Sequence, residues 1–327
     1  MSDSRLKDAT LHAEKLVRDE KLELPVNLIA LAQSRGILVE AKPATTKGVS
    51  GMLLRAGDNF AICYATHIKS KGFQRFSIAH ESGHFFLPDH PEHVFSGGKT
   101  IHEPQAGFGS RDPIELEADH FAAGLLMPSH LFKSEAGKFS DGFEAIENLA
   151  NLCQTSLTAS AIRYAELTDA AIAVVISTGS SVDYCFTSRA MRGIRGYKHP
   201  IKGSALPRDS LTRDFNQTES NIIGGLQDNG VADVIDWFHA DDEIDAAEEV
   251  VGLGDYGKTL TIICAELPDD DNEVEDQTQY CSFNDFSVKM RFRIDGVKHG
   301  AYESGIGCRR TIERLFKCQF VGAGLYA

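Results

Sequence analysis

No stretch of this chain approaches the roughly 20 consecutive apolar residues that a membrane-spanning helix needs. Its first residues are polar and carry no apolar core of a secretory signal. Its seven cysteines are odd in number, scattered and without a CxxC pair. That pattern supports neither a disulfide framework nor a zinc finger, and a reducing cytoplasm is the simplest home. Positive charge is also scarce, with 33 Lys and Arg against 47 Asp and Glu, for a net charge of −14. The deficit is local. Between Asp228 and Asp276, 17 acidic residues stand against Lys258 alone, which leaves the rest of the chain slightly positive. The acidic block reads as a solvated surface, and nothing resembles a basic nucleic-acid-binding arm.

What is present is ample apolar material, 42% of 327 residues, enough for two or three domains. The organising stretch is His80-Glu81-Ser82-Gly83-His84. On a helix its two histidines lie four positions apart and share one face. Both imidazoles can then reach one zinc ion, with Glu81 beside the metal as a base. Downstream, Asp112 to Pro128 reads as a second helix, capped by Asp112, started by Pro113 and stopped by Pro128. Ala118, Phe121, Ala122, Leu125 and Leu126 form its apolar stripe, and Glu115 and Asp119 sit one turn apart at the edge of that stripe. Glu115 would complete a His80, His84, Glu115 set with a fourth position left for water. Asp119 could accept the free ring N–H of a ligand histidine. Taken alone, Glu115, Glu117 and Asp119 would read as a solvated acidic face at a helix start.

These two segments resemble the ImmA/IrrE family of zinc metallopeptidases, with its RF-[ST]-x-AHE-x-GH helix and its later E-x-E-A-[ND]-x-FAA-x-LLMP helix. The run-in from Leu24-Pro25-Val26-Asn27-Leu28 through Gly36-Ile37-Leu38-Val39 to Ser50-Gly51-Met52-Leu53 follows the same pattern, so the resemblance covers roughly residues 6–132. Ser82 departs from the usual aliphatic residue, and Phe60 to Ala65 lacks an asparagine often found at the strand end. The resemblance implies an endopeptidase that cuts a partner transcriptional repressor under stress or mobile-element signals. Zinc is the implied cofactor; manganese and iron remain open on ligand chemistry alone.

The expected fold class is α+β. Residues 1–132 form a mainly helical metallopeptidase domain with a small sheet. Residues 133–168 form a helix-turn-helix-like segment, residues 169–268 an α/β domain comparable to the GAF-like domain of some family members, and residues 269–327 an acidic linker and unassigned tail. Residues 5–20 read as an amphipathic helix with Leu6, Leu11, Leu16 and Val17, and a second helix runs from Pro25 to near Gly36. Ile37 to Glu40 is a strand, and Val49 to Leu54 with Phe60 to Tyr64 flank a turn at Gly57-Asp58-Asn59, a hairpin signal. A free edge of this sheet could hold an extended substrate. Pro88 to Asp112 reads as a loop whose histidines His90, His93 and His102 are expected to be solvated. Phe143 to Cys153 and Leu157 to Leu167 make the helix pair, with Ser140 or Asp141 as cap. Arg163 is the lone cation of the second helix, which argues against direct DNA binding. Ala170 to Ile176, Asp183 to Thr187 and Thr259 to Cys264 are further strands, and Val231 to Phe238 carries the single tryptophan, Trp237.

The chemistry expected is proton transfer by Glu81 from a zinc-bound water and then to the leaving amine. Tyr64, His120 and the loop histidines are candidates for stabilising the tetrahedral intermediate, and the residue pattern does not choose among them. The reading from a different class is a regulatory or antitoxin-type binding protein whose zinc site is structural or vestigial. Direct transcriptional regulation through residues 143–167 ranks behind both.

Overall fold

The computed structural model describes residues 3–42, 50–102 and 112–267. The acidic linker from Asp269, the tail with Cys281, Cys308 and Cys318, and residues 103–111 of the stretch between the two motif-bearing helices lie outside those residues.

The chain begins with helix α1 (Asp3–Asp19) and helix α2 (Leu28–Ser34), followed by strands β1 (Leu38–Lys42), β2 (Gly51–Ala56) and β3 (Asn59–Ala65). In α1 the buried stripe is Leu6, Ala9, Ala13 and Val17. Leu11 is 54% exposed, because the 3.6-residue period carries it off that stripe. Helix α2 starts three residues later than the Pro25 signal suggests, since the Asn27 side chain accepts from Ala30 N and so caps the first turn. Strands β2 and β3 form the expected hairpin, with Ala56 opposite Asn59 and Gly57 at φ 62° in the turn.

Helix α3 (Lys71–Phe86) carries the two motif histidines, and Ser70 caps it by accepting from Phe73 N. The stretch after it is more ordered than a loop. A short helix α4 (His90–Val94) and strand β4 (Ile101–His102) occupy it, and β4 pairs with β2. The first sheet therefore runs β1-β3-β2-β4, with β1 parallel to β3. Helix α5 (Pro113–Leu126) follows, capped by Asp112, whose side chain accepts from Ile114 N.

Helix α6 (Ser129–Ala136) leads to α7 (Phe143–Cys153) and α8 (Leu157–Leu167). The cap of α7 differs from expectation. Gly142 occupies that position at φ 105°, and Glu249, far along the chain, accepts from Phe143 N at 2.8 Å. Nearly all of α8 is buried. Arg163, only 5% exposed, ion-pairs with Glu14 of α1 at 2.8 Å and donates to Met127 O at 3.1 Å. The cation that a reading helix would offer to phosphate is thus spent tying α8 to α1 and the end of α5. Glu14 also accepts from Ser129 N at 3.0 Å, which anchors the start of α6.

The remainder forms a second, fully antiparallel sheet. Strands β5 (Ala171–Thr178) and β6 (Ser181–Thr187) lead into short helices α9 (Arg189–Gly193), α10 (Leu211–Phe215) and α11 (Glu219–Ile223). Strand β7 (Gln227–Asp233), helix α12 (Val234–Phe238), and strands β8 (Asp245–Gly252) and β9 (Thr259–Ala265) complete it, in the order β6-β5-β9-β8-β7. Both β7 and β8 fall in the acidic block that composition marks as solvated surface. Strand β8 alternates exposed and buried positions, and its Glu248 is fully buried, accepting from Thr212 N at 2.7 Å and Thr212 Oγ1 at 2.6 Å. A carboxylate can be buried when backbone and hydroxyl donors replace its water.

One apolar cluster runs from Ala9 and Val17 through Phe121, Leu125 and Leu149 to Ile172, Ile176 and Ile262. The core thus crosses positions 132 and 168 without a break. Within it, Phe121 is fully buried, stacks on Phe86 with centroids 5.9 Å apart, and closes the seam between α3 and α5. Phe121→Ala is expected to cost about 3–5 kcal/mol of stability, read by chemical denaturation of the whole chain. A loss below about 1 kcal/mol would show that the seam collapses around the change.

Candidate metal centre

Helices α3 and α5 cross at Gly83. A Cβ there would lie 3.2 Å from Ala118 Cα and 3.3 Å from its carbonyl oxygen, so any side chain here would press the two backbones apart by a few tenths of an ångström. That approach sets the face with His80 and His84 against the face with Glu115 and Asp119, and all four side chains are buried. Ser82 is also buried and donates back to Ile78 O at 2.7 Å, so its departure from an aliphatic residue is absorbed within α3.

The structure brings His80, His84 and Glu115 together, with one ligand atom of each within 4.8 Å of the others. His80 Nε2 and His84 Nε2 face each other at 3.1 Å. The Glu115 carboxylate straddles them, Oε2 3.4 Å from His80 Nε2 and Oε1 3.5 Å from His84 Nε2. On the far side of the His80 ring, Nδ1 lies 2.8 Å from Asp119 Oδ1. A carboxylate only accepts, so His80 carries a proton on Nδ1, and its Nε2 is the atom turned toward His84 and Glu115.

The electrostatics favour positive charge at this spot. Burial alone would depress the His80 imidazolium, but hydrogen bonds and charges from Asp119 and Glu115 outweigh it and raise it to about 10. Burial acts on His84 as well, and with His80 and His102 nearby it drives that imidazole well below its ordinary value. Burial would raise the Glu115 carboxyl, but His102, His80 and His84 bring it far below the usual carboxylate range. Two imidazole nitrogens and a carboxylate oxygen around a point that favours a cation are the donor set of a His, His, Glu zinc site, and the residues fit that ion.

Glu81 is fully buried beside this cluster. Its position depends on Gly51 at the start of β2, where a Cβ would come 2.9 Å from Glu81 Oε1.

The loop histidines divide. His93 is exposed, as expected, whereas His90 and His102 are not solvated. His102, on β4, places Nε2 3.2 Å from Glu115 Oε1, and its ring lies 4.3 Å from that of His84. A second set of possible ligand atoms, from Glu81, His84 and His102, also falls within 4.8 Å. His90 reaches His84 from the opposite side, Nδ1 to Nδ1 at 3.2 Å. Glu117 is no solvated helix-face residue either: it is buried and meets His90 and Arg5. The reading of histidines 90 and 102 as solvated fails because α4 and β4 fold back over α3, a tertiary contact with no local signature. His120 senses Arg163, and burial with that charge pushes its imidazole down to about 3. Tyr64 lies on β3 opposite Gly51.

Residues 32–164 match the family described as Peptidase_M78, IrrE N-terminal-like domain. No curated protein matches the chain significantly. Among solved structures, the chain resembles a Mycobacterium tuberculosis transcriptional regulator with a TM-score of 0.49 and 17% identity, over 79% of this chain and 76% of that one. A likeness so distant carries no argument about function.

The helix crossing is open to test. Gly83→Val is expected to force α3 from α5 and weaken zinc binding by roughly tenfold or more, measured by competition with a chromophoric chelator. Undiminished affinity in a folded variant would show that the close approach is not what holds the ligands together.

Proposed function

We propose that the chain is a zinc-dependent endopeptidase, a reading supported by the match of residues 32–164 to the IrrE N-terminal-like (Peptidase_M78) family. The observation that carries the reading is the meeting of His80, His84 and Glu115 from two separate helices, with Glu81 alongside. His80, His84 and Glu115 would hold the ion, with Asp119 fixing the His80 tautomer. When bound, the ion supplies a Lewis acid that acidifies water and polarises a peptide carbonyl.

The chain's own groups do the rest. Glu81 takes a proton from the attacking water as its oxygen bonds to the carbonyl carbon. It then delivers that proton to the nitrogen as the C–N bond breaks. Gly51 leaves the space in which the Glu81 carboxylate can make both moves. An extended substrate would be held by main-chain hydrogen bonds along β4, the edge of the first sheet among the described residues, with its His102 beside the site. His102 is then positioned to stabilise the negative oxygen of the tetrahedral intermediate. The substrate we assign is a DNA-binding repressor cut at a defined site, as the family resemblance implies. The occupied state of Arg163 supports a protein partner over direct DNA contact. No helix among the described residues is long and apolar enough to cross a membrane.

One observation favours the second reading, a non-catalytic regulator with a structural metal site. His102 lies close enough to Glu115 and His84 to supply a fourth protein ligand, and a closed four-ligand site is structural.

Two variants separate the readings. Glu81→Gln is expected to keep one zinc per chain and lose hydrolysis of the repressor by on the order of a hundredfold or more. Cleavage at the parent rate by Glu81→Gln would remove Glu81 from its assigned role. His102→Ala is expected to keep zinc affinity and lose turnover. Loss of the metal in His102→Ala, with no cleavage by the parent, would instead establish the structural site.

A further inference from the structure

A second line of buried groups leads away from His84, on the side opposite Glu115. His84 Nδ1 stands 3.2 Å from His90 Nδ1, and His90 Nε2 stands 3.2 Å from Glu117 Oε2. The two oxygens of Glu117 lie 3.0 and 3.1 Å from Arg5 Nη2. His84, His90 and Glu117 are all buried, so water does not compete for the contacts among them, whereas the Arg5 side chain is exposed. Four elements meet in this line: α3, α4, α5 and α1.

The proton positions follow from donor and acceptor chemistry. A neutral imidazole has one nitrogen that donates and one that accepts, and a carboxylate only accepts. Glu117 therefore requires the His90 proton on Nε2. That leaves His90 Nδ1 as an acceptor, so the facing His84 Nδ1 must be the donor. With its proton on Nδ1, His84 keeps the Nε2 lone pair on the side of His80 and Glu115. Along the line from His84 to Glu117, any other arrangement of neutral rings sets two lone pairs or two protons against each other. The chosen one turns the Nε2 atoms of His84 and His80 toward each other at 3.1 Å, where a bound cation would meet both lone pairs.

We propose that Arg5, Glu117 and His90 form a positioning relay that selects this tautomer of His84 and fixes its ring. The relay does for His84, through an intermediate imidazole, what Asp119 does for His80 by direct contact. The proposal rests on the reading of His80, His84 and Glu115 as metal ligands and extends it by three residues that do not themselves enter the site. It also gives α4 a purpose: the short helix carries the ring that links the carboxylate on α5 to the ligand on α3. Arg5 pairs with the Glu117 carboxylate and ties α1 into the same line.

The test uses the full-length chain, zinc affinity by chelator competition, and two-bond proton–nitrogen spectra of the imidazoles in the zinc-loaded protein. The parent spectra are expected to show His84 protonated on Nδ1 and His90 protonated on Nε2. His90→Phe, which keeps a ring and removes the relay atoms, is expected to weaken zinc by about 10–100-fold. Glu117→Gln is expected to weaken it in the same direction and by less. Added to His90→Phe, it should change nothing further, because its effect passes through His90. The relay is overturned by parent-like zinc affinity in folded His90→Phe, or by a Glu117→Gln effect of equal size in both backgrounds. It is also overturned by a parent spectrum with the His84 proton on Nε2 or with His90 doubly protonated. Should His90→Phe not fold, the parent spectrum decides alone. A parent that binds no zinc overturns the metal-site reading itself, whereas normal zinc binding with an unaffected His90→Phe removes only the relay.

Discussion

The close approach of α3 to α5 at Gly83 and Ala118 is the constraint on which the candidate site depends. With backbones this near, a carboxylate from one helix can lie between two imidazoles from the other, and the side chains need little freedom to find one another. Phe121, packed on Phe86 and lying beside Gly83, holds the seam from the apolar side. Packing and chemistry are therefore one problem here. The glycine that permits the crossing lies inside the motif, one residue before His84.

Around that seam, buried polar groups are satisfied in chains. Asp119 serves His80, Arg163 ties α8 to Glu14, and Glu14 serves Ser129. Glu248 caps α10, and Glu249 caps α7 from the second sheet. Each removes a desolvation cost of the order of 1–3 kcal/mol that an unmet group would carry. Together they fix the relative placement of helices that apolar contact alone would leave free to slide. The second sheet contributes one face of β5 and β9 to the same core that holds α3 and α5, so the two sheets' regions share their packing.

Local signals were sufficient for much of this. The cap at Asp112 and the proline at the start of α5 mark the beginning of that helix, and the turn at Gly57 marks the hairpin. The bounds of α7 and α8 follow from apolar spacing alone. His80 and His84 stand out by their four-residue spacing on a helix, whereas Glu115 and Asp119 stand out only beside them, since alone they read as a solvated acidic face. What composition and spacing hide is whatever depends on distant partners. Glu249 replaces the nearby Ser140 and Asp141 as the cap of α7. One face of β8 is buried despite its acidity, because the donors for Glu248 come from α10. His90, His102 and Glu117 gain their places only when α4 and β4 fold back on α3, and no period or motif announces such a return.

The most direct test of the central claim is the zinc K-edge X-ray absorption spectrum of the full-length protein loaded with one equivalent of zinc. Two imidazole nitrogens and at least one oxygen at about 2.0–2.2 Å are expected around the ion. Sulfur scattering at about 2.3 Å, or no imidazole pattern, would contradict a site built from His80, His84 and Glu115.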